Sequence, residues 1–205
     1  MAHREFFNGT ALHEPIIPLK GSTSKRIGTV LRRRYCERPS SSEQFFKEIF
    51  GVEEEVWENI YAIPFLATIE SKLRSFQFKI NHNIFFTNEK LHKLKMKETL
   101  EDGSQVEISP GCTFCKIEVE TLEHLFIDCV HVNHLWVKLE NILDYSFSRS
   151  EKLLGCYDKT HLRNFDILSH LTILLKYFIH TSRFKKIVPH FSIFTKKIIL
   201  PNRQN

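Results

Sequence analysis

The spacing of hydrophobic and polar residues predicts a chain built mainly from amphipathic helices. Apolar residues three or four positions apart form one stripe on a helix. The first stripe follows Ser41 and Ser42, either of which can cap the helix, and Gly51 can end it. A second short helix is predicted over Glu53–Tyr61, and Pro64 is expected to begin the next element.

The middle of the chain carries the clearest helical stripe. It predicts one helix from about residue 65 to 80, whose apolar positions are Phe65, Leu66, Ile69, Leu73, Phe76 and Ile80. Another helix is predicted over Glu89–Lys97, with Thr87 or Asn88 as its cap. Polar and apolar residues alternate over Gln105–Ser109, which predicts a short strand.

The second half of the chain is also predicted to be helical. Thr121 can cap a helix that continues through Leu143, and the chain is then expected to loop. A long amphipathic helix is predicted from Phe165 toward Ser182. Pro189 interrupts the pattern, and residues 191–199 fit either a helix or a strand.

Cys112, Cys115, His124 and Cys129 form a C-x2-C-x8-H-x4-C pattern, a ligand set for Zn²⁺. Together with these elements it predicts a mainly α fold with a small zinc knuckle, and a short strand or hairpin at the first cysteine pair. We divide the chain into a poorly ordered basic segment (1–40), a helical segment with a basic face (41–100), a zinc-binding knuckle and helix (101–145) and a helical tail (146–205). The first segment contains turn-forming residues without a helical or strand period.

Composition adds limits on size, charge and location. The 205 residues include 42% hydrophobic residues and 18 phenylalanines, enough for a core, and the net charge of +5 is modestly basic. No apolar run is long enough to span a membrane, and the N-terminus lacks the apolar region of a signal peptide. We therefore expect an intracellular protein, in the nucleus or cytoplasm.

One short stretch carries the strongest chemical signal. Cys112, Cys115, His124 and Cys129 follow the spacing C-x2-C-x8-H-x4-C. Three thiolates and one imidazole are a complete tetrahedral ligand set for Zn²⁺, and with every position taken the site would be structural. His124 and Cys129 are about one and a half helical turns apart, so the helix end is expected to bend.

Other interpretations of the same residues stay open. The cysteines could be ordinary buried thiols, which are common in cores. A disulfide between Cys112 and Cys115 is a weaker alternative, because nothing else in the chain is typical of secreted proteins. His131 and His134 lie close by and could replace His124 as a ligand.

Basic residues concentrate between positions 72 and 97, where Glu89 is the only acid. This bias predicts a face that follows a phosphate backbone, although most charge runs are simply solvated. The candidate nucleic-acid-binding residues are Lys72, Arg74, Lys79, Lys90, Lys93, Lys95 and Lys97.

The cysteine motif with its neighbours resembles the zinc-binding segment at the C-terminal end of reverse transcriptases from LINE-type (non-LTR) retrotransposons. The similar residues are Cys112-x2-Cys115, Glu120-Thr121-x2-His124-Leu125-Phe126-x2-Cys129 and Leu135-Trp136, with softer matches at 72–80, 86–88, 154–155 and 174–179. The resemblance implies a detached C-terminal fragment that holds RNA or DNA, and a nuclear role.

Sequence motifs for catalysis are missing. None of the five aspartates lies next to another, as a polymerase site with two metals would need, and no phosphate-binding glycine loop is present. We therefore expect a non-enzymatic, zinc-binding nucleic-acid module with no membrane or small-molecule partner. The alternative is a helical protein-interaction module stapled by zinc, without nucleic-acid binding.

Overall fold

The computed structural model describes residues 40–100, 102–157 and 165–199, and it confirms the mainly helical fold. The predicted basic segment therefore lies outside the described residues, except for Ser40. The helices are α1 (Ser40–Phe50), α2 (Trp57–Ala67), α3 (Ser71–Asn81), α4 (Asn88–Lys93), α5 (Val130–Leu143), α6 (Arg149–Leu154), α7 (Phe165–Phe184) and α8 (Phe191–Ile199). A 3-10 turn (Glu54–Val56) precedes α2, and a π-helical turn (His124–Asp128) precedes α5.

Helices α2, α3 and α7 pack against one another and form the centre of the core. Their apolar stripes bury Trp57, Ile60, Leu73, Ile80 and Ile179 almost completely. Burying a large apolar side chain contributes about 1.5–3 kcal/mol, so this stripe-to-stripe contact is the main source of stability for the helical part. The same hydrophobic cluster continues into α1, the cysteine segment, α5, α6 and α8.

Pro64 lies inside α2 and does not begin a new element, so that expectation was wrong. A proline lacks the N–H that would bond the carbonyl four residues earlier. Here the freed carbonyl of Ile60 accepts a hydrogen bond of 3.1 Å from the buried Asn81 side chain of α3. A tertiary contact thus replaces the bond that the local sequence cannot make.

The stripe predicted as one helix over residues 65–80 is divided between two helices. Thr68 has extended backbone dihedrals, and α3 begins only at Ser71. Arg74 stabilises this corner, because its Nε donates a 2.6 Å hydrogen bond to the Thr68 carbonyl. The N-terminal part of the stripe is consequently exposed rather than buried, at Phe65, Leu66 and Ile69.

The predicted helix over Glu89–Lys97 is also shorter than expected. Thr87 caps it as predicted, accepting a hydrogen bond from the Lys90 N–H, but α4 ends at Lys93. Lys95 has a left-handed φ of +54°, which turns the chain into a strand. Strand β1 (Lys97–Thr99) pairs antiparallel with β2 (Gln105–Glu107), with Glu98 opposite Val106. The predicted strand therefore exists and belongs to a small hairpin.

Three C-terminal helices complete the described part of the fold. Helix α6 lies where a loop was expected, and it begins with a capping box in which Ser148 and Glu151 bond each other's backbone N–H. The long helix predicted from Phe165 is present as α7, and residues 191–199 form a helix rather than a strand. Among the described residues, no helix is both long and apolar enough to cross a membrane.

Candidate metal centre

The first cysteine pair lies in a tight loop closed by backbone hydrogen bonds. Gly111 and Val119 form an isolated antiparallel bridge, and the Cys112 N–H donates to the Glu118 carbonyl at 2.8 Å. Within this loop the Lys116 N–H donates to the Cys112 carbonyl at 3.1 Å, and Lys116 has a left-handed φ of +61°. The reversal of the backbone turns both sulfurs toward the inside of the loop.

The second ligand pair lies on a π-helical turn, not on the continuous helix that the sequence predicted. Thr121 accepts a hydrogen bond of 3.1 Å from the His124 N–H, so its capping role is confirmed. The Cys129 N–H donates to the His124 carbonyl five residues earlier, at 2.9 Å. Cys129 then has an extended ψ of 129° and separates this turn from α5. The wider turn and the break provide the bend that two ligands on one helix require.

These two turns bring the four candidate ligands together. The ligand atoms of Cys112, Cys115, His124 and Cys129 all lie within 4.8 Å of one another. The sulfurs of Cys112 and Cys129 are 3.8 Å apart, and Cys115 Sγ lies 3.4 Å from His124 Nε2. A tetrahedral ion with metal–sulfur bonds of about 2.3 Å separates two ligand sulfurs by about 3.8 Å. The group could therefore hold a metal ion.

The protonation of the two buried sulfurs is linked. Cys112 and Cys129 share a hydrogen bond, which lowers the pKa of Cys112 and raises that of Cys129. The N–H of Phe114 also points at Cys112 Sγ, at 3.4 Å. Such N–H groups favour a thiolate, which is the form of cysteine that binds metals.

The structure distinguishes the group of four ligands from the alternative interpretations of the cysteine motif, which are other histidine ligands and a disulfide. His131 and His134 are not part of the cluster, which contains His124. Cys112 and Cys115 are both free thiols rather than a disulfide. Cys112 and Cys129 are fully buried, whereas Cys115 and His124 are partly exposed. One side of the group thus faces the core and the other approaches the surface.

A buried carboxylate, Glu120, holds the cysteine loop in place. One oxygen of Glu120 accepts hydrogen bonds of 2.8 Å from both the N–H and the hydroxyl of Thr113, beside Cys112. Its other oxygen accepts a 3.0 Å hydrogen bond from the Asn88 N–H at the start of α4. Glu120 is completely buried, so it orients the loop without contact with solvent.

The positive partner of Glu120 comes from the far end of the chain. Arg183 on α7 forms an ion pair of 2.7 Å with Glu120, and it also donates to the Asn88 side chain at 2.8 Å. The Asn88 amide in turn donates to the Gly111 carbonyl at 2.9 Å. We call Glu120, Arg183, Asn88 and Thr113 the Glu120 network. It ties three distant segments to the first cysteine pair.

Sequence reasoning missed this network. Glu120 belongs to the motif that resembles the LINE-type segment, and Asn88 was considered only as a helix cap. Arg183 lies in the predicted helical tail, and only 9% of its side chain is exposed. The motif includes Glu120 and could have identified it as a site residue. No sequence spacing relates residue 183 to residue 120.

Large apolar side chains belong to the same buried cluster as the candidate ligands Cys112 and Cys129. Leu125, Phe126, Trp136 and Leu139 are all buried. The Trp136 indole N–H donates a 2.7 Å hydrogen bond to the Phe126 carbonyl, which fixes α5 against the π-helical turn. Phe126 also makes edge-to-face contacts with Phe76 of α3. The site is thereby docked on the helical core.

The structure distributes the candidate nucleic-acid-binding residues over several elements. Lys72, Lys79, Lys93, Lys95 and Lys97 are exposed, with Lys72 and Lys93 each beside a glutamate. Lys90 is half-buried and donates to the carbonyl and side chain of Asn83 at 2.6 and 2.7 Å, and burial lowers its pKa. Lys90 and Arg74 therefore stabilise turns of the fold. That all seven residues form one nucleic-acid-binding face stays a prediction, and Lys90 and Arg74 are the members that also donate hydrogen bonds within the fold.

Comparisons with protein-family models, with curated proteins and with solved structures find no match to this chain. The class of protein is defined by its fold and by its candidate metal site. It is a mainly helical chain whose Cys112, Cys115, His124 and Cys129 could hold a metal ion.

Proposed function

We propose that this protein is a non-catalytic zinc-binding module that binds nucleic acid. The observation that carries the proposal is the convergence of three sulfurs and one imidazole nitrogen within 4.8 Å, from two separate turns. By its resemblance to the C-terminal segment of LINE-type reverse transcriptases, the chain would be a detached fragment of such a protein. Its role would be to hold RNA or DNA.

The chemistry of the ligands favours zinc as the metal. Sulfur and imidazole ligands suit Zn²⁺, whereas Mg²⁺ and Ca²⁺ prefer oxygen ligands. Four protein ligands fill a tetrahedral shell, which leaves no position for water or substrate. A zinc ion here would stabilise the fold. Binding of structural zinc contributes about 10–16 kcal/mol in small zinc peptides.

The exposed lysines support a polyanion partner. Lys93, Lys95 and Lys97 follow one another around the turn between α4 and β1, and all three are exposed. Lysines on such a surface neutralise phosphates and release counterions, which makes binding weaken steeply with salt. Lys90 is not among the proposed phosphate-binding residues, because its ammonium group already donates a hydrogen bond to Asn83.

The test is salt-dependent binding of the zinc-loaded protein to 20-nucleotide RNA and DNA probes. Replacing Lys93, Lys95 and Lys97 by Glu should weaken binding and reduce the slope of log affinity against log salt by about 2 on a single strand. Lys138→Glu is the matched control, since Lys138 is an exposed lysine on α5. Equal affinities and slopes for the triple variant and the control would contradict this role of the turn.

A second candidate function is a protein-interaction module, favoured by one exposed apolar surface. Phe65, Leu66 and Ile69 at the α2–α3 corner are 51–90% exposed, and Ile167 of α7 is 59% exposed. Leu66, Ile69 and Ile167 line a common groove. Exposed apolar groups that adjoin one another are typical of protein contacts. Absence of binding to any nucleic acid, together with a partner lost on Ile69→Asp, would favour this function.

A further inference from the structure

A cleft of about 960 Å³ opens beside the cysteine loop. Its walls come from α3, the β1–β2 hairpin region, the cysteine loop and the C-terminal end of α7. Aromatic rings from several of these elements line it, and they contact one another. Phe76 lies 5.8 Å from Phe85 and 5.4 Å from Tyr177, between ring centroids, in edge-to-face geometry. Packed aromatic rings therefore lie beneath the interior of the cleft.

The charged groups around this aromatic surface are mostly positive. Lys72, Lys79, Lys116 and Lys186 line the cleft together with Arg183. Among the described residues that line it, Glu98 alone carries a carboxylate, and it pairs with Lys186 at 3.2 Å. Lys116 and Lys79 are exposed and stand on different walls. The cleft thus complements a polyanion rather than a neutral or cationic ligand.

Two further aromatic rings stand at the mouth of the cleft and face solvent. The side chains of Phe86 and Phe184 are 57% and 73% exposed, and both line the cleft. Arg183 donates a hydrogen bond to the Phe86 backbone carbonyl at 3.2 Å, and the Phe184 ring makes an edge contact with the His180 ring at 4.8 Å between centroids. Both rings offer flat apolar faces to solvent.

We propose that this basic aromatic cleft binds single-stranded nucleic acid, with phosphates at Lys79 and Lys116 and unstacked bases on Phe86 and Phe184. The inference rests on the proposed nucleic-acid-binding function and specifies its ligand. Proteins that bind single strands combine a positive groove with aromatic side chains on which bases stack. A duplex keeps its base faces within its own stack, so it cannot use these rings.

The loop that carries two of the candidate metal ligands forms part of this cleft. Gly111, Thr113 and Lys116 of the cysteine loop line one wall. Lys116 directly follows the candidate ligand Cys115, and Thr113 is held by Glu120 of the Glu120 network. Arg183 belongs both to this network and to the cleft. A metal ion held by the four ligands would therefore position this wall of the cleft, and its removal should weaken binding of a single strand.

The inference is tested by fluorescence anisotropy with labelled oligo-dT of 12 nucleotides and a 12-base-pair dA·dT duplex, using the zinc-loaded full chain. We expect tighter binding of the single strand than of the duplex. Phe86→Ala and Phe184→Ala should each weaken single-strand binding roughly tenfold, because a stacked base is lost, with little effect on the duplex. Phe65→Ala is the matched control, since Phe65 is 62% exposed and lies outside the cleft.

Leucine variants separate stacking from general apolar contact. Phe86→Leu and Phe184→Leu keep an apolar side chain without a ring, and they should still lose most of the affinity that alanine removes. Lys79→Glu with Lys116→Glu should reduce both affinity and salt dependence, relative to Lys138→Glu. Zinc content and far-ultraviolet circular dichroism, measured for each variant, identify any that fail to fold.

The outcomes distinguish this inference from the function on which it rests. Salt-dependent binding that is equal for duplex and single strand, and unchanged in the phenylalanine variants, would overturn the cleft while leaving nucleic-acid binding in place. Full affinity in the leucine variants would overturn base stacking. Absence of salt-dependent binding to either probe would overturn the proposed function and this inference together.

Discussion

The segment around the candidate metal ligands and the helical core are held together by different forces. In the core, α2, α3 and α7 bury long apolar stripes that include Trp57 and Leu73. In the loop from Pro110 to Cys129, the stabilising contacts are backbone hydrogen bonds, four converging ligands and the Glu120 network. The first region follows from apolar burial, whereas the second depends on a few polar groups placed at fixed positions.

This difference predicts different responses to perturbation. A helix that buries a whole stripe loses only part of its stability when one contact is removed. A loop whose order depends on four candidate metal ligands and one buried carboxylate has no comparable reserve. The two regions also meet, because Leu125 and Phe126 of the π-helical turn are buried in the common hydrophobic cluster.

Metal removal should give the largest difference in stability between the cysteine loop and the helical core. In excess EDTA we expect the amides of residues 110–129 to lose protection from hydrogen exchange, because the four ligands then lose their common partner. The amides in the centre of α3 and α7 should stay protected much longer. Added zinc should restore the loop.

Equal loss of protection in both regions would contradict the division into two stabilising forces. No change in either region on chelation would show that the cysteine loop is stable without a metal. The control is Cys156→Ser, which changes a buried free cysteine outside the ligand group.

Breaking the Glu120 network should give the next largest effect. Arg183→Met leaves the carboxylate of Glu120 buried without its cation, which typically costs about 3–5 kcal/mol of folding free energy. The double variant Glu120→Gln with Arg183→Met should recover part of this loss, since no charge then remains buried. Urea unfolding of both single variants and the double variant gives the coupling energy. A coupling near zero would contradict the structural role of the pair.

A smaller effect, confined to one pH range, is expected from a lysine inside the core. Lys176 is fully buried and donates to the Leu153 carbonyl, and burial lowers its pKa to about 7. Above that pH the unfolded chain binds a proton that the native chain does not, so stability should rise with pH. The rise should reach about 1.4 kcal/mol per pH unit.

The useful range is pH 7–9, because burial raises the pKa of Cys156 from 9.0 to about 12 and this thiol opposes the rise at higher pH. Lys176→Met should remove the slope in that range, measured as urea unfolding at fixed zinc concentration. Lys138→Met, at an exposed position, should keep it. The same slope in both variants would contradict a neutral buried amine.

The sequence predicted those helices and strands whose hydrophobic pattern lies within the element itself. The helix from Phe165 and the strand at Gln105 were found from periodicity alone. The ligand spacing predicted the group that the structure brings together, because metal ligands must be supplied in a fixed number and chemistry. The S-x-x-E capping box at Ser148 is also visible in the sequence and could have predicted helix α6, which was expected to be a loop.

The features that the sequence did not predict depend on distant residues. Pro64 remains within a helix because Asn81 satisfies the carbonyl that it leaves free. Lys90 donates hydrogen bonds to Asn83, and Arg183 pairs with Glu120, which is distant in the sequence. The basic aromatic cleft likewise joins Phe86 with Phe184, whose separation along the chain carries no periodic signal.

The most direct test of the central claim is the zinc content of purified protein. It is the difference between the mass of the native protein and the mass of the denatured protein, both measured by mass spectrometry. The account predicts one zinc per chain in the wild type, and none in the variant with Cys112→Ser and Cys115→Ser. Cys156→Ser should retain the ion. A folded and reduced wild-type protein without zinc, even after incubation with excess metal, would contradict the claim that these four ligands form a zinc site.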